Sequence, residues 1–349
     1  MLLRTLAATT GQLLRRDDGD ANNNCVDATP GPNGNVPVGS CNGYYNFDPQ
    51  FAPAVAVAVI FGIFTGVHVF EGVIFKKRYT WVLIMAALWE TLSFAIHSVG
   101  TKDQQQIAYA TAWQILFLLA PLWINAFVYM TFARMVLYWH PEGKVAGLRA
   151  TVIAKWFVLA DVLSFIVQGA GGIMASPDAG ATIIQIGLNI YLGGMGLQQL
   201  FIVLFLGLMV MFQRRCNRAE KLDGKPSWKP LLFALYGVLV CITARIIFRI
   251  VEFTGGVTPE NNPIPFNEVY SYALDCFPMM LALLVLAVFH PGRYLVGPES
   301  EFTRLSRKEK KALKLEKKAA RSEEKEAKKR SKKERTAERS SSDDGGYLV

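Results

Sequence analysis

The sequence predicts an all-α membrane protein that crosses the bilayer seven times, with its N-terminus outside and its C-terminus in the cytoplasm. Seven apolar runs, at about 52–75, 80–99, 107–137, 152–174, 182–212, 230–253 and 268–289, match or exceed the roughly 20 residues that span hydrocarbon. None alternates with a period of two, and in lipid each backbone amide must be satisfied within its own segment, so all seven are helices rather than barrel strands. Charge is segregated as well: residues 290–349 hold 18 of the 37 Lys+Arg and 11 of the 28 Asp+Glu, which is +7 of the formal net charge of +9. Three regions follow, a flexible extracellular tail over 1–50, a transmembrane domain over 51–290 and a charged cytoplasmic tail over 291–349. The distribution excludes a soluble enzyme. The basic balance belongs to a juxtamembrane tail, not a folded basic face, so nucleic acid is not a partner.

The first fifty residues are rich in Asn, Gly, Asp and Pro and cannot bury enough apolar surface to fold alone. Cys25 and Cys41 lie there and form a candidate extracellular disulfide. The opening MLLRTLAATTGQLLRR has no acids and an Arg spacing like that of a mitochondrial presequence, but its apolar residues are too broken for a secretory signal, and it is read as part of the tail.

Span one carries Gly62 and Gly66, four apart and expected to let helices approach closely, then His68 and Glu71 near its inner end. Lys76, Lys77 and Arg78 follow. Span two holds Glu90 and His97, and the loop from Gly100 to Gln106 has a single basic residue, Lys102. Span three contains Gln114 and Pro121 and has Arg134 at its inner end, with Lys144 and Arg149 in the loop that follows. Span four holds Asp161, Gln168 and the run GAGG at 169–172, and the loop over 175–181 has no basic residue. Span five holds Gln185, Asn189, GGMG at 193–196 and Gln198, and six basic residues lie between Gln213 and Lys229. Span six holds Arg245, Arg249 and Glu252; span seven, entered by a loop over 254–267 with no basic residue, holds Glu268 and Asp275. Lys and Arg thus fall in alternate loops, which sets the orientation by the positive-inside rule.

From Glu299 to Arg339 the tail alternates Lys, Arg, Glu, Ala and Ser, as a solvated helix or a disordered chain would. It serves either to fix topology or to attract anionic lipid, with Ser340, Ser341 and Ser342 as a phosphorylation cluster that would release it.

Chemistry has to come from polar groups inside the membrane, where a lone charge costs about 2.5–3.5 kcal/mol at a helix centre. Glu90 and His97, Asp161 and Gln168, and Glu268 and Asp275 are each seven residues apart, and Arg245, Arg249 and Glu252 form one stripe. At about 1.5 Å per residue Arg245 lies roughly 22 Å from the inner end of its span and Asp275 roughly 10 Å from the outer end of its own. These groups, with Gln114, Gln185 and Asn189, are expected to meet in the outer half, and the glycine runs beside Gln168 and Gln198 either pack spans four and five or loosen them near a ligand. The polar groups form either a polar cavity or a salt-bridge network that only locks the helices.

No cofactor is expected. The glycine runs are not nucleotide motifs, and no G-x-x-x-x-G-K-[ST] occurs. His68, His97, His140 and His290 are too scattered to assemble a metal site. Cys216, Cys241 and Cys276 lack metal spacing, and no Ser or Cys has an evident base, so the chain is expected not to be an enzyme.

With those residues assembled, the sequence resembles the fungal lipid-translocating exporter family, which includes aminocholesterol-resistance and sphingoid-base-resistance proteins. The likeness covers most of 50–295. It rests on DVLSFIVQGAGG at Asp161–Gly172, GGMGLQQ at Gly193–Gln199, RIIFRIVEFTGG at Arg245–Gly256, EVYSYALD at Glu268–Asp275, HPGR at His290–Arg293, and LLAPLWINAFVY with Pro121 and Tyr129. The resemblance implies a plasma-membrane protein that exports or flips amphipathic lipids and confers tolerance of toxic ones. Span two departs from the family, which follows its glutamate with Gly-Tyr and then an arginine. Here Ser93, Phe94 and His97 follow Glu90, which leaves specificity open and makes a pH-sensitive site conceivable.

The expected mechanism places a cationic or zwitterionic head group among Asp161, Glu252, Glu268 and Asp275, with the lipid tail in the bilayer and Arg245 and Arg249 holding the acids ionised. Transport would be downhill or coupled to protons through Glu90, His97 or the acids. The alternative is a seven-helix lipid sensor or receptor signalling through its tail, although Arg134, in FARMVLYW, does not reproduce the usual receptor arginine motif. A scaffold that perturbs lipid distribution indirectly is a third reading.

Overall fold

The structure, a computed structural model, describes residues 28–37, 40, 43–45, 47–140, 142–175, 180–218, 225–254 and 262–302. The candidate disulfide of Cys25 and Cys41, the opening segment and the charged tail from 303 onward lie outside the described residues.

Among the described residues, seven helices are long and apolar enough to cross a membrane. They are α1 (Phe51–Phe75), α2 (Trp81–Gly100), α3 (Ile107–Trp139), α4 (Ala150–Met174), α5 (Ala181–Arg218), α6 (Lys229–Thr254) and α7. The last is composite: one α-turn at Glu268–Ser271, a π-helical stretch at Tyr272–Cys276 and an α-helix at Phe277–Val288. Pro278 lies just past the widened turn; its missing amide and its ring together disfavour a regular α-turn ahead of it. The chain is an all-α, seven-span membrane protein as the sequence predicts, and six of the seven spans end within two residues of the expected limits. The exception is α5, which continues six residues beyond the apolar run through Arg214, Arg215 and Arg218. A short antiparallel hairpin, β1 (Lys144–Val145) with β2 (Leu148–Arg149), links α3 to α4 through Ala146 and Gly147, both at positive φ.

An odd number of spans puts the two ends of the bundle on opposite faces. The N face carries the start of α1 and the ends of α2 and α7 nearest it, tied by Gln50 N–H donating to Glu268 Oε2 at 2.9 Å. On the C face the segment after α7 returns beneath the bundle. Lys77 Nζ donates to Ser300 Oγ at 2.9 Å, Arg293 lies 3.6 Å from Glu71, and Lys225 lies 3.7 Å from Glu299.

Each helix packs on its sequence neighbour, and α7 returns to α1, closing a ring that α3 crosses to reach α6. Burial follows that arrangement. On α3 the large side chains Phe117, Ile124, Phe127, Tyr129 and Phe132 are fully enclosed, whereas α1 presents Ile63, Phe70 and Val73 outward, each more than 60% exposed, to what would be lipid.

Glycines settle one contact closely. A Cβ on Gly187 would run into the α4 backbone at Gly171, Met174 and Ala175, and one on Gly171 into α5 at Gly187 and Tyr191. The two backbones therefore touch, as small residues allow in membranes. The spacing of Gly62 and Gly66 does not mark such a contact: Gly66 has nothing within 4 Å and Gly62 only the Thr91 methyl at 3.7 Å. The residue that matters most, Gly187, stands outside any glycine run and gave no signal.

Candidate functional site

Arg245 and Arg249, one turn apart on α6, project into the ring and converge on Asp275 of α7. Arg245 Nε lies 2.7 Å from Asp275 Oδ1 and Arg249 Nη2 lies 2.6 Å from Oδ2. Arg249 Nη1 also donates to Glu252 Oε2 at 2.9 Å. Both guanidiniums lie over the Phe117 ring, at 4.5 and 5.4 Å from its centroid. Arg245 has a further partner, because its Nη2 donates to the Phe117 carbonyl at 3.0 Å. Pro121 follows Phe117 by four and has no amide to occupy that carbonyl. The final member is Glu90 of α2, fully buried, whose Oε1 lies 3.8 Å from Arg245 Nη1 and whose two oxygens accept no hydrogen bond.

A second cluster caps the N face. His97 Nε2 and Glu268 Oε1 are 2.9 Å apart, and Tyr272 Oη donates to the same oxygen at 2.8 Å. With the Gln50 amide on its other oxygen, Glu268 draws donors from α2, α7 and the chain ahead of α1. The His97 ring stacks on Trp113 at 4.0 Å, and Tyr45 covers both. Burial, with Glu268 and Asp103 nearby, holds the Tyr45 hydroxyl above the usual phenol range and so keeps it neutral.

Asp161 stands apart from both. Its Oδ2 accepts from Asn125 Nδ2 at 2.8 Å and from Tyr129 Oη at 3.0 Å, so it ties α4 to α3 without a cation. The repeated seven-residue spacing therefore does not bring all the acids to one interior. The expected head-group site among Asp161, Glu252, Glu268 and Asp275 is divided in three, because Glu268 is satisfied at the N face and Asp161 lies on the α3–α4 seam. Gln114 is buried as expected, but Gln185 and Asn189 are exposed on α5 and belong to no interior site.

Of the clusters, only Arg245 and Arg249 border a cavity of about 40 Å³ between α3, α4, α5 and α6. Its lining is mixed: polar Gln168, Gln198, Arg245, Arg249 and Tyr191 alternate with apolar Leu118, Leu122, Phe165, Met195 and Ile246, and only α3 contributes no polar side chain. Gln168 Nε2 donates to Gln198 Oε1 at 3.0 Å, and Gly194 leaves the space that Gln168 fills. By volume the cavity holds on the order of three waters or one small polar group, not a hydrocarbon chain. The lining has two cations and no acid, the reverse of the charge the sequence reading assigned to a head-group pocket.

Sequence reasoning missed Asn125, Tyr272, Phe117 and Tyr191. Asn125 and Tyr129, four apart on span three, carried a readable signal; the roles of an aromatic ring and a freed carbonyl did not. Near the C face, His68 lies 3.3 Å from Glu71, and His290 stacks on Phe75 at 4.8 Å. Among the described residues no group of three or more His, Cys, Asp or Glu is placed to hold a metal ion.

A closed ring of seven membrane-spanning helices, with a small cavity of mixed lining between α3, α4, α5 and α6, defines a polytopic membrane protein. The chain belongs to the RTA1-like protein family, whose family model matches residues 83–297. It is 42% identical over 296 residues to "Probable lipid transporter atnI" of Emericella nidulans, covering 82% of this chain and 77% of the relative. It is 27% identical over 205 residues to "Protoporphyrin uptake protein 1" of Saccharomyces cerevisiae, covering 58% of this chain and 65% of that one. Over 285 residues it is 20% identical to "Sphingoid long-chain base transporter RSB1" of the same yeast, covering 71% and 73%. No solved structure matches the chain.

Proposed function

We propose that this chain translocates an amphipathic lipid across the membrane, with the polar end of the lipid passing through the cavity between α3 and α6 while its chain stays in the bilayer. The carrying observation is the mixed lining, in which the amides and cations of Gln168, Gln198, Arg245 and Arg249 stand beside apolar Leu118, Leu122 and Phe165. Such a surface suits a molecule that is polar at one end, and the relatives named for lipid or long-chain-base transport support the same reading. The cations and amides of the wall favour a head group that accepts hydrogen bonds, such as a hydroxyl, carbonyl or phosphate oxygen.

The N face is outside and the C face cytoplasmic, on the strength of Lys and Arg in alternate loops. The plasma membrane is the site, the charged tail adds attraction to anionic lipid, and the chain catalyses no covalent step.

The test is purified protein in liposomes, with transfer of fluorescent sphingoid base and phospholipid between leaflets timed for wild type and for a Gln168→Leu, Gln198→Leu double variant. Protein-dependent movement that the double variant loses supports the reading. Absence of movement in folded, inserted wild type overturns it and favours a lipid sensor.

A further inference from the structure

The charges around Phe117 do not balance if every group is ionised. Arg245 and Arg249 supply two positive charges. Asp275 absorbs contacts from both, and Glu252 takes the second nitrogen of Arg249. Glu90 is a third acid with no cation of its own. It is 0% exposed, neither oxygen has a hydrogen-bond partner, and the nearest guanidinium nitrogen is 3.8 Å away. A carboxylate so placed would be stripped of water without a donor to replace it, whereas a neutral acid escapes most of that penalty.

Among the described residues, the cation that faces Glu90 is Arg245, at 3.8 Å. The charges acting on it are Arg245 and Arg249 of α6 and Asp275 of α7, and the Cys276 thiol of α7 lies nearby. On its own helix, Ser93 Oγ donates to the Trp113 carbonyl instead. The stretch of α3 from Gln114 to Asn125 holds no titratable residue. On α1 the titratable pair His68 and Glu71 contact each other, toward the C face.

We propose that Glu90 is a proton-binding site, occupied in this arrangement, and that release of its proton draws Arg245 from Asp275 toward Glu90. The step is balanced: the carboxylic acid becomes a carboxylate and one proton leaves for water. Arg245 is the lever, because the same guanidinium faces Glu90, grips Asp275 and forms part of the cavity wall. Protonation at Glu90 is thereby linked to the shape and charge of the head-group site. The proton site stands on geometry alone; its link to transport rests on the translocator reading.

Infrared spectra of the full chain in lipid bilayers test the first part. Wild type is expected to show a protonated-carboxyl C=O component at neutral pH that Glu90→Gln removes and that replacement of the exposed acid, Glu299→Gln, leaves in place. A spectrum that Glu90→Gln does not change overturns the proton site. Should Glu90→Gln fail to insert, Glu90→Asp is expected to shift the frequency of the band, and an unshifted band is equally fatal. The second part is read from liposomes with an imposed proton gradient, which is expected to change the wild-type rate severalfold but to have no effect in Glu90→Gln. A gradient response that survives in Glu90→Gln, or is absent from wild type that moves lipid, overturns the coupling. Wild type that moves no lipid overturns the translocator reading, and the spectra still decide the proton site.

Discussion

Arg245 donates to the carbonyl of Phe117 at 3.0 Å, replacing the helical amide that Pro121 lacks. The proline thus acts on an arginine that it need not touch, by freeing a backbone oxygen on α3 for a side chain of α6. Pro121→Ala restores the competing amide. A hydrogen bond to a charged donor contributes about 1.5–3 kcal/mol, so lipid movement in liposomes should slow roughly tenfold or more. The melting temperature should not fall, since alanine suits a helix interior better than proline.

Arg245→Lys should fail despite keeping the charge. The guanidinium serves Asp275, Glu90 and the Phe117 carbonyl from three different nitrogens, and a single ammonium cannot reproduce that fork. Disrupting a buried pair costs about 3–5 kcal/mol. At about 2–4 °C per kcal/mol, a drop near ~10 °C is expected in thermal unfolding of the purified protein.

Gly187→Ala places a methyl against the α4 backbone, where nothing can yield cheaply. Overpacking of this kind costs about 1–3 kcal/mol. Gly66→Ala meets open space and should be neutral or stabilising by about 0.5–1 kcal/mol. Paired melting curves distinguish the two; equal shifts would refute the assignment of the α4–α5 contact.

Asp161→Asn keeps a carbonyl oxygen for Asn125 and Tyr129, whereas Asp161→Ala leaves both buried donors without an acceptor. The alanine variant should lose about 1–3 kcal/mol and the asparagine variant much less. A fall of equal size in both would show that the charge, not the hydrogen bonds, holds the α3–α4 seam.

The helices were legible in the sequence because the bilayer imposes a length and a composition on each, and the stripe of Arg245, Arg249 and Glu252 was legible because it lies within one helix. Partnership between helices was not. Glu268 and Asp275 share a spacing that an unbroken α-helix would align, but the π-helical stretch between them alters their register, and they join different clusters. Asp161 sits at a depth suited to the arginines but belongs to α4, which meets α3 and α5 rather than α7. Depth along a helix can be counted from residues; rotation about its axis depends on which neighbours it meets. Gln185 and Asn189 show the same limit, since their outward direction follows from Gly187 facing inward between them.

The backbone contact of Gly171 with Gly187 has a kinematic consequence. Helices that interlock so closely cannot slide past one another, so α4 and α5 must swing together as a single leaf. At its two borders the leaf is joined by side chains, Asp161 to Asn125 and Tyr129 on one side and Gln199 Nε2 to Thr243 Oγ1, at 3.3 Å, on the other. These are joints that can part and re-form. The cavity of about 40 Å³ lies behind that leaf, so any passage wide enough for a head group opens at its borders. A covalent tether from α5 to α6 should arrest transport, while one from α4 to α5 should leave it running.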